Sequence, residues 1–322
     1  MMITCVRTEG VIKLKKHTKG YLMVAIAASL WGTVGIQVKI FFDYNVSLQS
    51  IVFWRMFFAF FILLIFIYFT NRKRLIIDKK GLIYLALMGL SSQLLFNLCY
   101  FSCIQKTTIS TAVTLLYSAP IFIAVMAKIF YNELFTPLKT FSLFLCIVGC
   151  FLAATGGSMA VLKLNFVGVL LGLGAGFTFS LVTIISKAII HKYHQLTIII
   201  YALGFGLLFY LPFSRPLTIF QQDLPLLIWV LIIFFGIITT AVAYGLYVTG
   251  ISYGIEVSRA GIVSTLELVV AVILSYLIYR ENIWGWKLVG ILMVVFSVSM
   301  VQLKLNNRIK KTGQAILSFF GL

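Results

Sequence analysis

Charge is what this chain has least of. Asp, Glu, Lys and Arg together make up 11% of its 322 residues, where soluble domains carry roughly 25%. A water-soluble globule of this length needs more polar side chains to cover its surface, which excludes a cytosolic or secreted enzyme and a disordered scaffold. Acids are scarcer still, eight against twenty-six Lys and Arg, giving a net charge of +18. That excess does not gather on one amphipathic surface but falls in short gaps between apolar runs, so no nucleic acid partner is expected. The three histidines (His17, His191, His194) lie outside those runs, leaving intramembrane metal or acid–base chemistry without its usual residue. The five cysteines make no disulfide framework. Cys99 and Cys103, like Cys146 and Cys150, stand four apart on one helix face and read as small packing residues. There is no G-x-x-x-x-G-K-[ST] motif and no polar stretch long enough for a nucleotide domain, so neither ATP nor any other cofactor is expected. Gly172-Leu173-Gly174-Ala175-Gly176 lies within an apolar run, where glycines four apart serve close helix packing.

What is present is apolar, 61% of residues. Ten stretches approach the 20 or so residues that cross a bilayer. They run approximately over 20–41, 48–70, 81–103, 108–130, 137–155, 164–188, 195–213, 225–249, 254–280 and 283–303. The expected fold is an all-α integral membrane protein with ten transmembrane helices. Phe42-Asp43-Tyr44-Asn45, Asn71-Arg72-Lys73-Arg74, Gly156-Gly157-Ser158 and Ser214-Arg215-Pro216 punctuate the runs. The first 19 residues are basic and polar, and the run after them is too long for the core of a signal peptide.

An even number of spans puts both termini on one side. Sixteen Lys and Arg fall on that side, in the first tail, the 72–80 loop, at Lys139 and Lys192, and after the last span. Five (Lys106, Lys163, Arg215, Arg280, Lys287) fall on the other, which predicts cytoplasmic termini. Residues 315–320 are apolar but too short to span, and are expected to lie on the inner surface or to fray.

Sliding the chain on itself by 148 residues pairs Lys39 with Lys187 and Glu133 with Glu281 without gaps, along with Phe96 and Tyr244, Leu98 and Leu246, Ala112 and Ala260. Each half then holds five spans. Because five is odd, the second half enters the membrane from the opposite side. This predicts inverted repeats, the architecture of many secondary transporters, with Lys39 near the outer end of its helix and Lys187 near the inner end of its own. The expected organisation is a basic cytoplasmic tail at 1–19, repeats at 20–155 and 164–303, and a basic and apolar cytoplasmic tail at 304–322.

These residues resemble the EamA-type members of the drug/metabolite transporter superfamily. The matching positions are Trp31-Gly32, Lys39, Arg55, Ala112, Pro120, Glu133 and Gly149 in the first half, and Gly168, Lys187, Ala260, Glu267, Glu281 and Gly290 in the second. Two positions depart: Trp-Gly becomes Phe179-Ser180 in the second half, and Leu268 replaces the usual proline after Glu267. The resemblance implies ten spans, cytoplasmic termini, a plasma or inner membrane location, and export or import of small metabolites, with amino acids and related amines or carboxylates as the substrate class.

Glu267 is the leading functional candidate, because a charge at a span centre costs about 2.5–3.5 kcal/mol and should face a cavity or a partner. A proton or a cationic substrate would suit it. The competing reading is a structural ion pair with Lys39, Lys187 or Arg259. Trp31, Asn97, Tyr100, Tyr117, Tyr244 and Tyr247 carry polar groups that need partners in hydrocarbon and are expected to complete a substrate pocket. Lys39, Arg55, Lys187 and Arg259 lie one to two turns inside span ends, where long basic chains can snorkel to headgroups, as Lys128 should. Repeat symmetry makes gate-flanking roles the alternative for Lys39 and Lys187, and Arg55 is counted with them among the gating or ion-coupling candidates. Glu133 and Glu281 suit anchoring or salt bridging at helix ends. Pro120, taken as the one proline inside a span, should kink the fourth helix and act as a hinge. The expected function is therefore a secondary transporter, an exporter working by alternating access. Its partners would be a small-molecule metabolite, membrane lipid and protons as coupling ion. Uptake of a quaternary amine such as choline is the alternative, and an intramembrane enzyme or a channel is a remote one. Oligomeric state is left open.

Overall fold

Short polar side chains open the helices. Ser47 accepts the N–H of Ser50 (3.2 Å), Asp78 that of Gly81 (3.4 Å), Thr108 that of Thr111 (3.1 Å), Thr136 that of Lys139 (3.3 Å) and Asn165 that of Gly168 (3.1 Å). Each cap satisfies an N–H that the first turn leaves orphaned, immediately before an apolar run. The computed structural model describes residues 2–162, 165–280 and 283–301, and these contain helices and turns but no strand. Among the described residues nine helices are long and apolar enough to cross a membrane: Lys16–Asp43, Leu48–Leu75, Lys79–Lys106, Thr111–Tyr131, Pro137–Thr155, Phe166–Ile189, Gln195–Ser214, Leu226–Ser252 and Val257–Tyr279. A shorter closing helix, Trp286–Val301, follows. Glu281, the tail 304–322 and its 315–320 segment lie outside the described residues. At the other end, the first helix runs from Met2 to Trp31, so residues 2–19 of the basic stretch extend the first span.

The offset of 148 residues reappears in the backbone. π-helical turns occupy Leu90–Leu95 in the third span and Phe235–Val242 in the eighth. The fourth span breaks at Tyr117-Ser118, between helices Ile109–Leu116 and Ala119–Tyr131, and the ninth at Thr265, between Val257–Ser264 and Leu266–Tyr279. Asn132 and Arg280 both end their helices in the left-handed region, at φ 51° and 57°. The break at Gly32-Thr33 in the first span has no counterpart, since Phe166–Ile189 runs unbroken through Ser180.

Proline does not account for these breaks. Pro120 sits in the first turn of Ala119–Tyr131, where its missing N–H is no loss. The ninth span breaks without a proline, and hydroxyls take up the loosened carbonyls: Thr265 donates to Ile262 O (2.6 Å) and Ser264 to Gly261 O (2.8 Å). Nor is Pro120 the one proline inside a span, because Pro212 lies within Gln195–Ser214.

Helices of one half pack mainly on helices of the other. The first span lies on the eighth and the third on the sixth; the second lies on the eighth and the third on the seventh; the first also meets the ninth, and the fourth the sixth. Exchanging the halves turns each of these pairs into its companion. Closeness is set by glycine where the first and eighth spans cross. A Cβ on Gly20 would stand 2.8 Å from Gly250 O, and one on Gly250 2.7 Å from Gly20 O. Large apolar side chains such as Phe61, Phe66, Leu208, Phe234, Leu277 and Phe296 cover the outside, the inverse of a soluble globule and the surface that lipid requires.

Candidate functional site

The irregular backbone converges on one cavity. It has a volume of about 970 Å³ and is bounded by the first, second, third, fourth, eighth and ninth spans, with contributions from the fifth and sixth. Its mouth lies among Lys39, Phe42, Gln49, Gln105, Ile109, Tyr279 and Lys287, which flank the turns after the first, third and ninth spans. Those turns share one end of the bundle, so the cavity reaches that end, and none of its lining residues comes from the turns at the other, closed end.

Trp31, Asn97, Tyr100, Tyr117, Tyr244, Glu267, Lys39, Arg55 and Pro120 all line it. Glu267 stands in the first turn of Leu266–Tyr279, just past the break, so its carboxylate is near the positive end of a half-helix. Gly32 lets the first span approach closely, since a Cβ there would lie 2.7 Å from Glu267 O. No ion pair to Glu267 occurs among the described residues. The three cations expected as its ion-pair partners are engaged elsewhere. Lys39 lies over the Tyr279 ring (3.4 Å), Lys187 donates to Ile255 O (3.4 Å), and Arg259 pairs with Glu256 (2.9 Å).

A π-helical turn leaves carbonyls displaced from the regular ladder, and side chains use them. The Trp31 indole N–H donates to Thr239 O (3.0 Å) in the eighth span, and the Asn97 amide donates to Gln93 O in the third. Trp31 is thereby fixed edge-on to Tyr244 (5.1 Å) and Phe179 (5.9 Å), and Phe179 meets Phe96 (5.8 Å), which stacks on Tyr100 (5.7 Å). The result is a continuous aromatic wall. Phe179, the residue that departs from Trp-Gly in the second half, is its middle member; the 148-residue offset to Trp31 was the signal for it. Phe96, Gln105, Phe235 and Thr265 also line the cavity and had carried no site assignment.

Two expected site residues lie away from the cavity lining. Tyr247 is behind Trp31 (5.3 Å between rings) and exchanges a hydrogen bond with Thr183 (2.6 Å). Lys187 is at the closed end, opposite to Lys39 at the mouth. Arg55 does not reach a helix end: its guanidinium lies over the Phe235 ring (5.4 Å), with Nε buried. Arg259 is buried too, donating to Val301 O (3.1 Å), whereas Lys128 is exposed beside Phe135 (5.5 Å) as a snorkelling residue should be.

Ionic contacts seal the closed end. Glu133, turned away from its helix by Asn132, accepts the N–H groups of Val257 (2.7 Å) and Ser258 (3.3 Å) and the Ser258 hydroxyl. Lys139 joins Glu133 (3.3 Å) to Glu256 (2.8 Å), and Arg259 completes the chain. Burial pushes the Glu256 carboxyl up, but the hydrogen bond from Lys139 and the charge of Arg259 outweigh it and hold the group below the usual carboxylate range. The cluster ties the fourth and fifth spans to the start of the ninth and, through Val301, to the closing helix.

This chain is 25% identical over 198 residues to the uncharacterized inner membrane transporter YicL of Salmonella typhimurium, covering 61% of this chain and 66% of that one. It is 26% identical over 287 residues to an uncharacterized transporter of Archaeoglobus fulgidus, covering 87% and 94%. The uncharacterized transporter YxxF of Bacillus subtilis is 23% identical over 151 residues, 46% and 48% of the two chains. A crystal structure of another protein superposes with a TM-score of 0.73 over 90% of this chain and 98% of that one; at 14% identity the likeness bears on the fold alone. The model of the EamA-like transporter family matches residues 18–155 and again 166–303. Two family repeats over most of the sequence, in a helical chain with nine apolar spans among its described residues, make this a multi-pass membrane protein that belongs to the EamA-like transporter family.

Proposed function

We propose that the protein is a secondary transporter that exports small metabolites by alternating access between two inverted five-helix repeats. The observation that carries this reading is a carboxylate without an ion pair, Glu267, in a cavity between the halves whose lining reaches one end of the bundle only. The closing helix is the tenth span, both termini are cytoplasmic, and the cavity mouth faces outward. Trp286–Val301 supports the tenth span by burying Ile291, Val294, Val298 and Val301 against the bundle. Domain limits at 20–155 and 164–303 fit the recurrence of π-turn, break and left-handed cap at one spacing. Glu267 binds and releases the coupling proton, with Trp31, Asn97, Tyr100, Tyr117 and Tyr244 as substrate contacts and Tyr247 supporting Trp31 from behind. Lys39 and Lys187 flank the outer and inner gates, and the fourth and ninth spans hinge at their breaks beside Pro120 and Thr265. We read the chain as a carrier and not an enzyme, since Glu267 is the sole carboxylate lining the cavity among the described residues and acid–base hydrolysis needs a second group.

Amino acids and related amines or carboxylates are the proposed substrates. A quaternary amine such as choline would use the aromatic wall, but three cations and one acid line the cavity, which disfavours it. Counterflow in proteoliposomes, with labelled amino acids and labelled choline run in parallel, separates the two. Glu267→Gln should abolish the pH dependence of transport and most of its rate. Unchanged transport and an unchanged pH profile would remove Glu267 from the mechanism.

A further inference from the structure

Arg55 is the cavity residue with the least local explanation. Its Nε is shut away from solvent and has no hydrogen-bond partner, and no carboxylate lies within ion-pair distance among the described residues. A guanidinium offers five N–H donors in a fixed plane, and burying such donors unpaired is costly. The fold nevertheless gives this one a defined place. Its backbone carbonyl is packed against the eighth span, where a Cβ on Gly236 would stand 2.7 Å away, and its plane is steadied by the Phe235 ring. A guanidinium in the cavity wall with no carboxylate beside it and its Nε unpartnered can take acceptors from the cavity it lines.

The surroundings specify the acceptor. Lys39 and Lys287 line the same cavity, so three cations face a single acid, Glu267. Such a cavity attracts anions, and a carboxylate meets a guanidinium through two parallel hydrogen bonds. One acid in the same space disfavours a second negative charge on the occupant. The wall from Tyr100 through Phe96, Phe179 and Trp31 to Tyr244 offers flat apolar surface beside it.

We propose that Arg55 is a carboxylate anchor, and that the solute this cavity takes is a small monocarboxylate with a flat or aromatic body. This rests on the transport reading for what happens after binding, but not for binding itself. Glu267, and any proton on it, then acts beside the anchored solute and not as the main point of attachment.

The test uses the full chain, purified in detergent at about 0.15 M salt, so that adventitious anion binding to the basic tails is screened. Phenylacetate, phenylacetamide and phenethylamine share one body and differ in the head group. Thermal shift and isothermal titration should show saturable binding of phenylacetate and at least tenfold weaker binding of the other two. Arg55→Gln should erase that preference. Arg55→Lys, a point charge without the fork, should restore part of it. Equal or better binding of the amide or the amine, persistence of the preference in Arg55→Gln, or no binding of phenylacetate at millimolar concentration would each overturn the proposal. Should Arg55→Gln fail to fold, the acid-against-amide comparison in the wild type and in Arg55→Lys still decides. Counterflow separates the two readings. Phenethylamine exchange that ignores Arg55 would leave the transporter standing without the anchor, and Arg55-dependent acid binding without exchange of any solute would leave the anchor standing without the transporter.

Discussion

Replacing Glu133 by Gln should loosen the closed end of the bundle by about 2 kcal/mol. The carboxylate accepts two backbone N–H groups and a hydroxyl at the start of the ninth span, and it neutralises Lys139, which is 5% exposed. Removing one partner of a buried ion pair costs about 3–5 kcal/mol when the other is stranded. Here Lys139 keeps Glu256 at 2.8 Å, and a Gln oxygen retains part of the capping, so the loss falls to the difference between charged and neutral hydrogen bonds, about 1–2 kcal/mol for each bond weakened. Two kcal/mol is about a thirtyfold change in an equilibrium constant. Ile255 is fully buried beside this cluster, and its carbonyl receives Lys187. In a background with the native cysteines replaced, Ile255→Cys should react with a polar maleimide about thirtyfold faster once Glu133→Gln is added. A labelling rate within twofold of the parent would refute the idea that these contacts hold the gate. So would a lowered Tm with no gain in labelling, which would make the cluster a prop for the fold alone.

Acid should open the same end. Because the folded-state pKa of Glu256 is depressed, its contribution is complete above the ordinary carboxylate value of about 4.3 and is lost as pH falls through the lower folded value. Labelling of Ile255→Cys should therefore be flat at neutral pH, when corrected for thiol ionisation, and rise only in acid. Glu256→Gln should remove the acid-induced component; if it persists, another group is responsible. A third prediction concerns how the closing helix docks. A Cβ on Gly290 would lie 2.6 Å from Gly149 O, whereas one on Gly245 meets nothing within 4 Å. Gly290→Ala should lower stability by about 1–2 kcal/mol, an overpacking cost only partly offset by helix propensity, and Gly245→Ala should raise it by up to about 1 kcal/mol. Thermal unfolding in detergent gives both signs, and a stabilising Gly290→Ala would rule out the close contact.

Composition and run length were enough to assign a membrane-spanning helical protein, because hydrocarbon leaves the backbone few alternatives to the helix. The caps were equally local: Ser47, Asp78, Thr108, Thr136 and Asn165 each act on an N–H three residues on. The offset that pairs Lys39 with Lys187 also anticipated where π-turns and helix breaks recur, although none of those irregularities has a residue signature of its own. With Leu268 in place of the usual proline, any kink of the ninth span had to arise otherwise, and the chain breaks there with Ser264 and Thr265 hydroxyls bonded to the loosened carbonyls.

Tertiary structure decided which polar groups share a space. Arg55 and Glu267 are 212 positions apart in the sequence, and nothing along the chain tells that both line one cavity while Tyr247, in helical register with the cavity-lining Tyr244, lies behind Trp31. Pairing of charges was likewise invisible: Lys139 and Arg259 are consumed by Glu133 and Glu256, while Glu267 forms no ion pair among the described residues although Lys39, Arg55 and Lys287 line the same cavity. A sequence fixes how a segment behaves in lipid through its neighbours within a few residues. Which side chains confront each other depends on how helices from opposite halves cross, and that is set by close contacts such as Gly20 on Gly250, made between residues far apart in the chain.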